Sequence, residues 1–484
     1  MKISLVCAPY CYSYTLPINI AYLKAIAQRH GHQAKCFDLS IQFYHSFSLL
    51  SEARDLKKQI QKYADQSFYL DINNWNNKNN FYTKIASEID FQTWLDATAE
   101  KLLCSNEKLV GFSIFNTNLW TSVELAKRIK QMNPMVKIVF GGPDCSTSIH
   151  FDFLKEIYNE LLITHIVDIV VIGEGEETFL ELLNAYENSS ALHLIKGIIY
   201  LNDGTPHFNG HRPMIKELDS LPFPDYSDLD FSLYPPSLIL PLVFNRGCNF
   251  HCVFCDVNLV WGQKDDFRHR TAKNIADEIK YLCSFIENKN IHHAILGGSY
   301  INTSEKILNE LCDELIKLWG DTPRLKWEGW ARINSTLTTK LCQKMAKAGC
   351  YSLVYGFESG SAKVCKDMNK LYSHSLAEEV LRNSSAAGIA NTLFTIVGFP
   401  TETETDFQMT LDFLEKNAQN IKRAYCMSEF LLSSSMASNP TRWNLDLPID
   451  GYTWKTKDGQ NDIEIRKNRL KRFYQQIEKL KLNQ

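Results

Sequence analysis

The chain has 484 residues, of which 45% are apolar and 22% charged, and a formal net charge of -3. That length and apolar content suit two or three globular domains, and the charge supplies no overall attraction for nucleic acid. No run of about 18 apolar residues is present to span a bilayer, and the opening MKISLVCAPY reads as a strand rather than a secretion signal. A cytoplasmic location is therefore expected, in which the 14 cysteines read as buried thiols and metal ligands rather than a disulfide framework.

In chain order, Ile3 to Cys7, Lys35 to Phe37, Leu109 to Phe115, Lys137 to Phe140 and Ile166 to Ile172 are short apolar runs. Helical periods such as Ile20 to Arg29 and Ser122 to Met132 separate them, which predicts a parallel, doubly wound, Rossmann-like α/β domain over 1–202. Residues 45–95 are polar and aromatic, with Asn73, Asn74, Asn77, Asn79 and Asn80, and predict a helical insertion bearing an exposed loop. Pro206, Pro213, Pro222, Pro224, Pro235 and Pro236 make 203–238 an ordered strap or linker. Over 239–434, strands near 241–246, 291–297, 325–331, 351–358, 390–398 and 423–432 alternate with helices and predict a partial (β/α)6 barrel. In one unit Leu337, Leu341 and Met345 recur every four residues and Gly349 supplies the stop. Residues 435–484 are irregular and then basic and helical from Ile463 to Leu482, a docking helix; Trp443, Tyr452 and Trp454 read equally as packing or as a cover for the barrel mouth.

The sharpest local pattern is Cys248-x3-Cys252-x2-Cys255, just after the strand Leu240 to Phe244 and the turn Asn245-Arg246-Gly247. Three thiolates on one loop can ligate three irons of a 4Fe-4S cluster and leave the fourth iron open. A zinc site borrowing His251, or three structural thiols, are the alternatives, and neither accounts for the strand before the loop or the barrel-like repeat after it. Cys283, Cys312, Cys342, Cys350, Cys365 and Cys426 lie in apolar patterns and read as core.

With Phe254 directly before the third cysteine, this loop resembles that of the radical S-adenosylmethionine superfamily. The resemblance continues through Trp330-Ala331-Arg332-Ile333, Gly349-Cys350, Tyr355 to Ser361 and Val397 to Glu402, all at predicted strand ends. It implies that Cys248, Cys252 and Cys255 hold a 4Fe-4S cluster whose open iron chelates S-adenosylmethionine. It further implies that Phe254, Gly297, Gly298, Arg332, Glu358, Ser359, Ile396 and Gly398 line that cofactor. A rim salt bridge without a ligand is the other reading of Arg332 and Glu358, and a simple turn that of Gly398. Many members of the nearest subgroup carry an acidic residue where this chain reads Gly297-Gly298-Ser299, so contact there is expected through the backbone.

The front domain resembles the cobalamin-binding module that precedes many radical enzymes, through Pro17-x-x-x-Ala21-Tyr22-Leu23, Gly111-Phe112-Ser113, Gly141-Gly142-Pro143 and Gly173-Glu174-Gly175-Glu176. The implied cobalamin contacts are Pro17, Ser113, Phe115, Asn116, Gly141, Gly142, Gly173, Glu174 and Gly175. No Asp-x-His-x-x-Gly follows the first strand, where the chain reads Ala8-Pro9-Tyr10-Cys11-Tyr12. No histidine is therefore expected below the cobalt, and Phe115 to Trp120 would lie there instead; His30 and His32 read as surface groups. A Rossmann-like domain that binds nothing, or binds substrate, is the alternative.

Together these resemblances imply a cobalamin-binding radical S-adenosylmethionine enzyme similar to the class B methyltransferases. Such an enzyme uses a 5'-deoxyadenosyl radical and methylcobalamin to methylate an unactivated carbon of a natural-product intermediate or peptide. It takes electrons from a flavodoxin- or ferredoxin-type reductant and has no nucleic-acid partner and no membrane span. A non-methylating cyclase or rearrangement enzyme is the second reading, and a cobalamin-binding sensor or scaffold with an inactive barrel the third. The transfer-RNA methylthiotransferases do not match, because Cys7, Cys11, Cys36, Cys104 and Cys145 lack their arrangement of N-terminal cluster ligands.

Overall fold

Alternating apolar runs at the start of the chain become β1 (Lys2–Cys7), β2 (Gln33–Asp38), β3 (Leu109–Ser113), β4 (Lys137–Gly141), β5 (Ile169–Val171), β6 (Ile198–Asn202) and β7 (Thr205–Phe208). They form one sheet in the order β2-β1-β3-β4-β5-β6-β7 in the computed structural model. The described residues are 1–9, 15–50, 78–87, 89–150, 152–235, 237–257, 267–286, 291–320, 322–426, 430, 432–437, 439–447 and 453–483. The Tyr10 to Tyr12 stretch, Asn73, Asn74, Asn77 and Tyr452 lie outside them. The chain divides into two units between Ile239 and Leu240.

In the first unit β1 to β5 pair in parallel. Successive side chains point to opposite faces, so Ile3 and Leu5 enter the apolar layer that holds Ile20, while Val6 enters the one that holds Phe112 and Phe140. Helices including Ile18–Arg29 and Leu119–Met132 cover these layers, giving the expected doubly wound α/β fold. Strand order reverses between β1 and β3, the place where such sheets open a crevice at their carboxyl ends. In the insertion, Ile89–Leu102 is a helix that buries Phe91, Leu95, Ala99 and Leu102.

Two details differ from the sequence reading, the direction of the last two strands and the burial of His32, while the proline-rich stretch is an ordered strap. The sheet is mixed, because β6 and β7 run antiparallel. β7 contains Pro206, and since it is the last strand of the sheet its missing N–H leaves no ladder bond unmade. The rest of the proline-rich stretch is packed into this unit: Lys24 Nζ lies 2.7 Å from Asp228 and 3.4 Å from Asp225, and the Tyr234 hydroxyl donates to buried Asp38 at 2.6 Å. His32 is buried rather than superficial, with Nδ1 3.2 Å from the N-terminal amine and 3.4 Å from Glu187, because Gly31 turns the chain back under the helix into β2.

The second unit contains β8 (Ile239–Val243), a short antiparallel pair β9 (Asn245–Arg246) and β10 (Arg268–His269), then β11 (His293–Gly297), β12 (Lys326–Ala331), β13 (Cys350–Glu358), β14 (Ala390–Thr395) and β15 (Arg423–Tyr425). β8 and β11 to β15 form a six-stranded sheet in chain order, parallel from β11 to β15, which is the partial (β/α)6 barrel. Hydroxyl side chains start its helices: Thr271, Thr338, Ser361, Ser373 and Thr403 each accept a backbone N–H from the first turn. The six cysteines read as core are buried. Trp443 and Trp454 are buried in an apolar cluster with Phe399, Phe430 and Met436, so packing is their role. The final helix, Ile463–Leu480, is capped by Asp462 and buries Arg466, Arg469, Phe473 and Ile477. No helix among the described residues is long and apolar enough to cross a membrane.

Candidate cofactor sites

β8 delivers the chain to the rim of the barrel, where Gly247 turns at φ +76° into the cysteine loop. The loop is tied to the segment after β13: Val253 N–H donates to the Met368 carbonyl at 3.1 Å, and Asn369 Nδ2 donates to the His251 carbonyl at 2.9 Å. Phe254 and Ile396, from opposite ends of the barrel sequence, pack on one apolar cluster with Val364, Met368 and Phe399. Cys248 and Cys252 are half-buried and Cys255 exposed as a residue. The Cys255 thiol is nevertheless pushed up to about 11, by lost solvation first and then by the charges of Cys252 and Cys248. Cys248 and Cys252 are thus close enough to act on Cys255.

Among the described residues no set of three His, Cys, Asp or Glu side chains closes to the spacing of a single metal ion. Three thiols on one loop are the donor set of a 4Fe-4S cluster with one open iron, whereas a structural zinc takes four protein ligands. Arg332 supplies a cation at this point. Its Nη1 lies 3.7 Å from Cys252 Sγ, and its guanidinium stacks 3.4 Å from the centre of the Phe250 ring.

Other rim residues are held in ways the sequence did not reveal. A Cβ on Gly298, at φ +133°, would sit 2.6 Å from Asn245 Oδ1, so that glycine makes room for Asn245, which also accepts the Ser299 N–H at 2.8 Å. A Cβ on Gly297 would lie 3.3 Å from the Leu242 carbonyl. Gly398, at φ +87°, makes room for Arg466 of the final helix, whose Cγ would be 2.5 Å from an added Cβ. Ser359 is fully buried, and its hydroxyl accepts the Ser361 N–H at 3.1 Å. Glu358 is a non-glycine residue at φ +67°, beside an irregularity in the β13 to β14 register, and its carboxylate is 2.9 Å from Lys370 Nζ. Lys370 carried no motif and was missed. Arg466 and Arg469 were foreshadowed by their spacing with Phe473 and Ile477, which places all four on one helix face.

In the first unit Ser113, Gly141, Gly142, Gly173, Glu174 and Gly175 cluster at the carboxyl ends of β3, β4 and β5, and buried Pro17 precedes the first helix. Asn118, within the Phe115 to Trp120 stretch, is fully buried and joins the loops after β1 and β3, donating to the Ala8 carbonyl at 3.4 Å and the Ser113 carbonyl at 3.0 Å. Asn19 donates to the Ser113 hydroxyl. Phe115 is half-buried and Asn116 exposed. The glycines divide by role. Gly142, at φ +114°, is required by protein, since a Cβ would meet the Ile114 carbonyl at 2.7 Å, whereas at Gly173 an added Cβ would meet nothing within 4 Å. Glu174 is buried, and its carboxylate accepts the Ile215 N–H at 2.7 Å, which gives it a structural task. At Gly173 the carboxyl end of β5 is kept free of a side chain, which leaves room there for a ligand.

Two family models match the chain: the radical SAM superfamily over residues 242–414 and the B12 binding domain over residues 85–183. An uncharacterized methyltransferase of Pyrococcus horikoshii is 26% identical over 310 residues, 64% of this chain and 64% of that protein. An anaerobic magnesium-protoporphyrin IX monomethyl ester cyclase of Cereibacter sphaeroides is 26% identical over 64% of this chain and 50% of its own length. The chain thus spans about half to two thirds of these relatives. Cytidylyl-2-hydroxyethylphosphonate methyltransferase of Streptomyces wedmorensis is 22% identical over 83% of this chain and 73% of its own. Among solved structures, the radical S-adenosylmethionine methyltransferase TsrM of Kitasatospora setae, with cobalamin and a 4Fe-4S cluster bound, has a TM-score of 0.67 at 14% identity, covering 97% of this chain and 84% of that one. The cobalamin-dependent S-adenosylmethionine radical enzyme OxsB has a TM-score of 0.62 at 17% identity over 86% of this chain and 52% of its own. Both share the fold. With a B12 binding domain on the doubly wound sheet and a radical SAM domain on the partial barrel, the chain belongs to the family of cobalamin-binding radical S-adenosylmethionine enzymes.

Proposed function

We propose that this chain is a cobalamin-dependent radical S-adenosylmethionine methyltransferase, acting on an unactivated carbon of a small molecule or peptide and taking electrons from a flavodoxin- or ferredoxin-type protein. The observation that carries the reading is the three-thiol loop at the rim of a six-stranded barrel, with Arg332 against Cys252. When bound, the cluster with S-adenosylmethionine supplies a carbon-centred radical for hydrogen abstraction, and methylcobalamin supplies the methyl group. Cys248, Cys252 and Cys255 would hold the cluster, and the Arg332 cation offsets the negative charge that three thiolates concentrate there. Phe254 and Ile396, sharing one apolar cluster, offer a surface for the adenine. Gly173 leaves the sheet end open for the corrin, and Gly142 and Glu174 shape the loops around it. The protein's contribution is orientation and the exclusion of water.

Anaerobic reconstitution with iron, sulfide and hydroxocobalamin tests this, with metal and corrin quantified after desalting. Wild type is expected to retain about four irons and one corrin, and Cys252→Ala to lose the iron while keeping the corrin. Cobalamin that washes out of wild type removes the methyltransferase reading. The similarity to the Cereibacter sphaeroides cyclase supports a second reading, a non-methylating ring-forming enzyme. Product mass separates the two, since only the methyltransferase adds a carbon.

A further inference from the structure

We infer that Trp330, Phe394 and Tyr425 form a wall on the inner face of the barrel that binds a planar, π-rich substrate. The inference rests on the function proposed above and names the substrate class of that same site. Strand alternation sets the directions of these side chains. In β12, Trp327, Gly329 and Ala331 are buried, and Trp327 Nε1 donates to the Ala348 carbonyl at 2.9 Å, at the end of a covering helix. Trp330 is therefore on the opposite, inner face. In β14, Asn391 donates to the carbonyls of Leu381 and Asn420 on the helix side and Leu393 is fully buried, which leaves Phe394 facing inward. Ala424 is buried in β15, so Tyr425 faces inward too.

Trp330 and Phe394 come from strands that are not neighbours. β13 runs between them and presents only Val354, opposite Trp330, and Gly356, opposite Phe394. The two rings stack across β13 with centres 5.1 Å apart at 25°, and the space over Gly356 is taken by Glu358 and Lys370, whose Oε1 and Nζ would lie 2.6 and 2.7 Å from an added Cβ. Tyr425, the register partner of Phe394, lies 6.0 Å away at 41° and extends the wall to the last strand.

Three observations distinguish this wall from ordinary core. Trp330 is 37% exposed although it stands on an inner face. Two residues further along the chain, just past the ends of the same strands, stand Arg332, against Cys252, and Ile396, which packs on the same apolar cluster as Phe254. A two-residue step is about 7 Å, so a ring lying on the wall sits one layer beneath the cysteine loop. Two residues in the other direction the lining turns polar, with Glu328 accepting from the Tyr351 hydroxyl at 3.2 Å. A flat ring gains offset stacking on such a surface, whereas a saturated ring of the same skeleton gains burial alone.

The test compares naphthalene-2-carboxylate with decahydronaphthalene-2-carboxylate by titration calorimetry on the reconstituted full chain, with iron content and S-adenosylhomocysteine binding recorded on the same samples. The flat probe is expected to bind at least tenfold more tightly. Trp330→Ala should weaken it at least tenfold and the saturated probe less than twofold, and Trp330→Phe should recover most of the loss. Phe394→Leu serves as the second variant should Trp330→Ala fail to keep its iron. Equal binding of the two probes, binding of neither, or an undiminished preference in variants that retain iron would overturn the inference while the functional reading stands. A wild type that assembles no cluster overturns the functional reading and takes this inference with it.

Discussion

Glu358 is a charged side chain in a place that opposes it twice. Its backbone is in the left-handed region, which costs a non-glycine residue roughly 1 kcal/mol or more, and the residue is only 7% exposed. Lys370, itself 8% exposed, is the neighbouring cation, and its Nζ also donates to the Gly356 carbonyl at 2.9 Å. Removing one partner of a buried pair leaves the other charge uncompensated, at a cost of about 3 to 5 kcal/mol. Lys370→Met is therefore expected to lower barrel stability by about 3 kcal/mol, and adding Glu358→Gln to recover more than half of that. Urea unfolding of the four proteins of this cycle measures both numbers, and a single-variant loss under about 0.5 kcal/mol would show that the pair carries no such load. Glu358 stood out in the sequence through its motif, but Lys370 did not, because nothing local marks a lysine that will meet a strand end twelve residues away. Gly298 and Gly398 show the same limit. The sequence marks both as positions of close approach but does not say what fills the Cβ side, which is Asn245 at Gly298 and Arg466 at Gly398.

At the scale of the element, the helices of the barrel were legible because each carries its own start signal. Helix Glu404–Lys416 has the fullest, a capping box in which Thr403 and Asp406 satisfy each other's N–H groups. Burial works against the Asp406 carboxylate, but hydrogen bonds from Ser361, Thr403 and Lys363 outweigh it and hold the group down at about 2. A carboxyl lowered on folding adds stability above its unfolded value, near 4, and loses it as pH falls toward 2. Asp406→Asn should thus lower stability by roughly 2 kcal/mol at pH 7, with the difference shrinking between pH 4 and pH 2. Denaturation midpoints at pH 7, pH 3 and pH 2 follow this, and a deficit unchanged across the series would assign the loss to packing instead. The strands were legible where one face alternates. β6 and β7 were not, since Pro206 reads as a breaker and only the finished sheet shows that it occupies an edge.

At the scale of the molecule, the two folds and the final docking helix were readable from the rhythm of strands and helices, whereas what that helix holds in place was not. A basic helix suggests an exposed face, yet Arg466 is fully buried, its guanidinium 3.8 Å from the centre of the Trp454 ring and its Nη1 donating to the Trp454 carbonyl at 2.9 Å. Arg469 donates to the Glu402 carbonyl at 3.1 Å and lies 3.3 Å from its carboxylate, while Glu402 accepts the Gly398 N–H at 2.8 Å. The segment thus fastens the loop after β14, from which Ile396 packs on the same apolar cluster as Phe254. It also contributes Trp443, Leu445, Trp454, Phe473 and Ile477 to buried positions, each worth about 1.5 to 3 kcal/mol. Their sum is comparable to the 5 to 15 kcal/mol by which a domain is stable at all. A chain ending at residue 434 is therefore expected to lose its barrel, and with it the iron, while a protease-resistant fragment ending near Ile239 retains cobalamin after desalting. Iron content equal to that of the full chain would show that the barrel folds and binds without the segment, and that the buried arginines hold the loop rather than the fold.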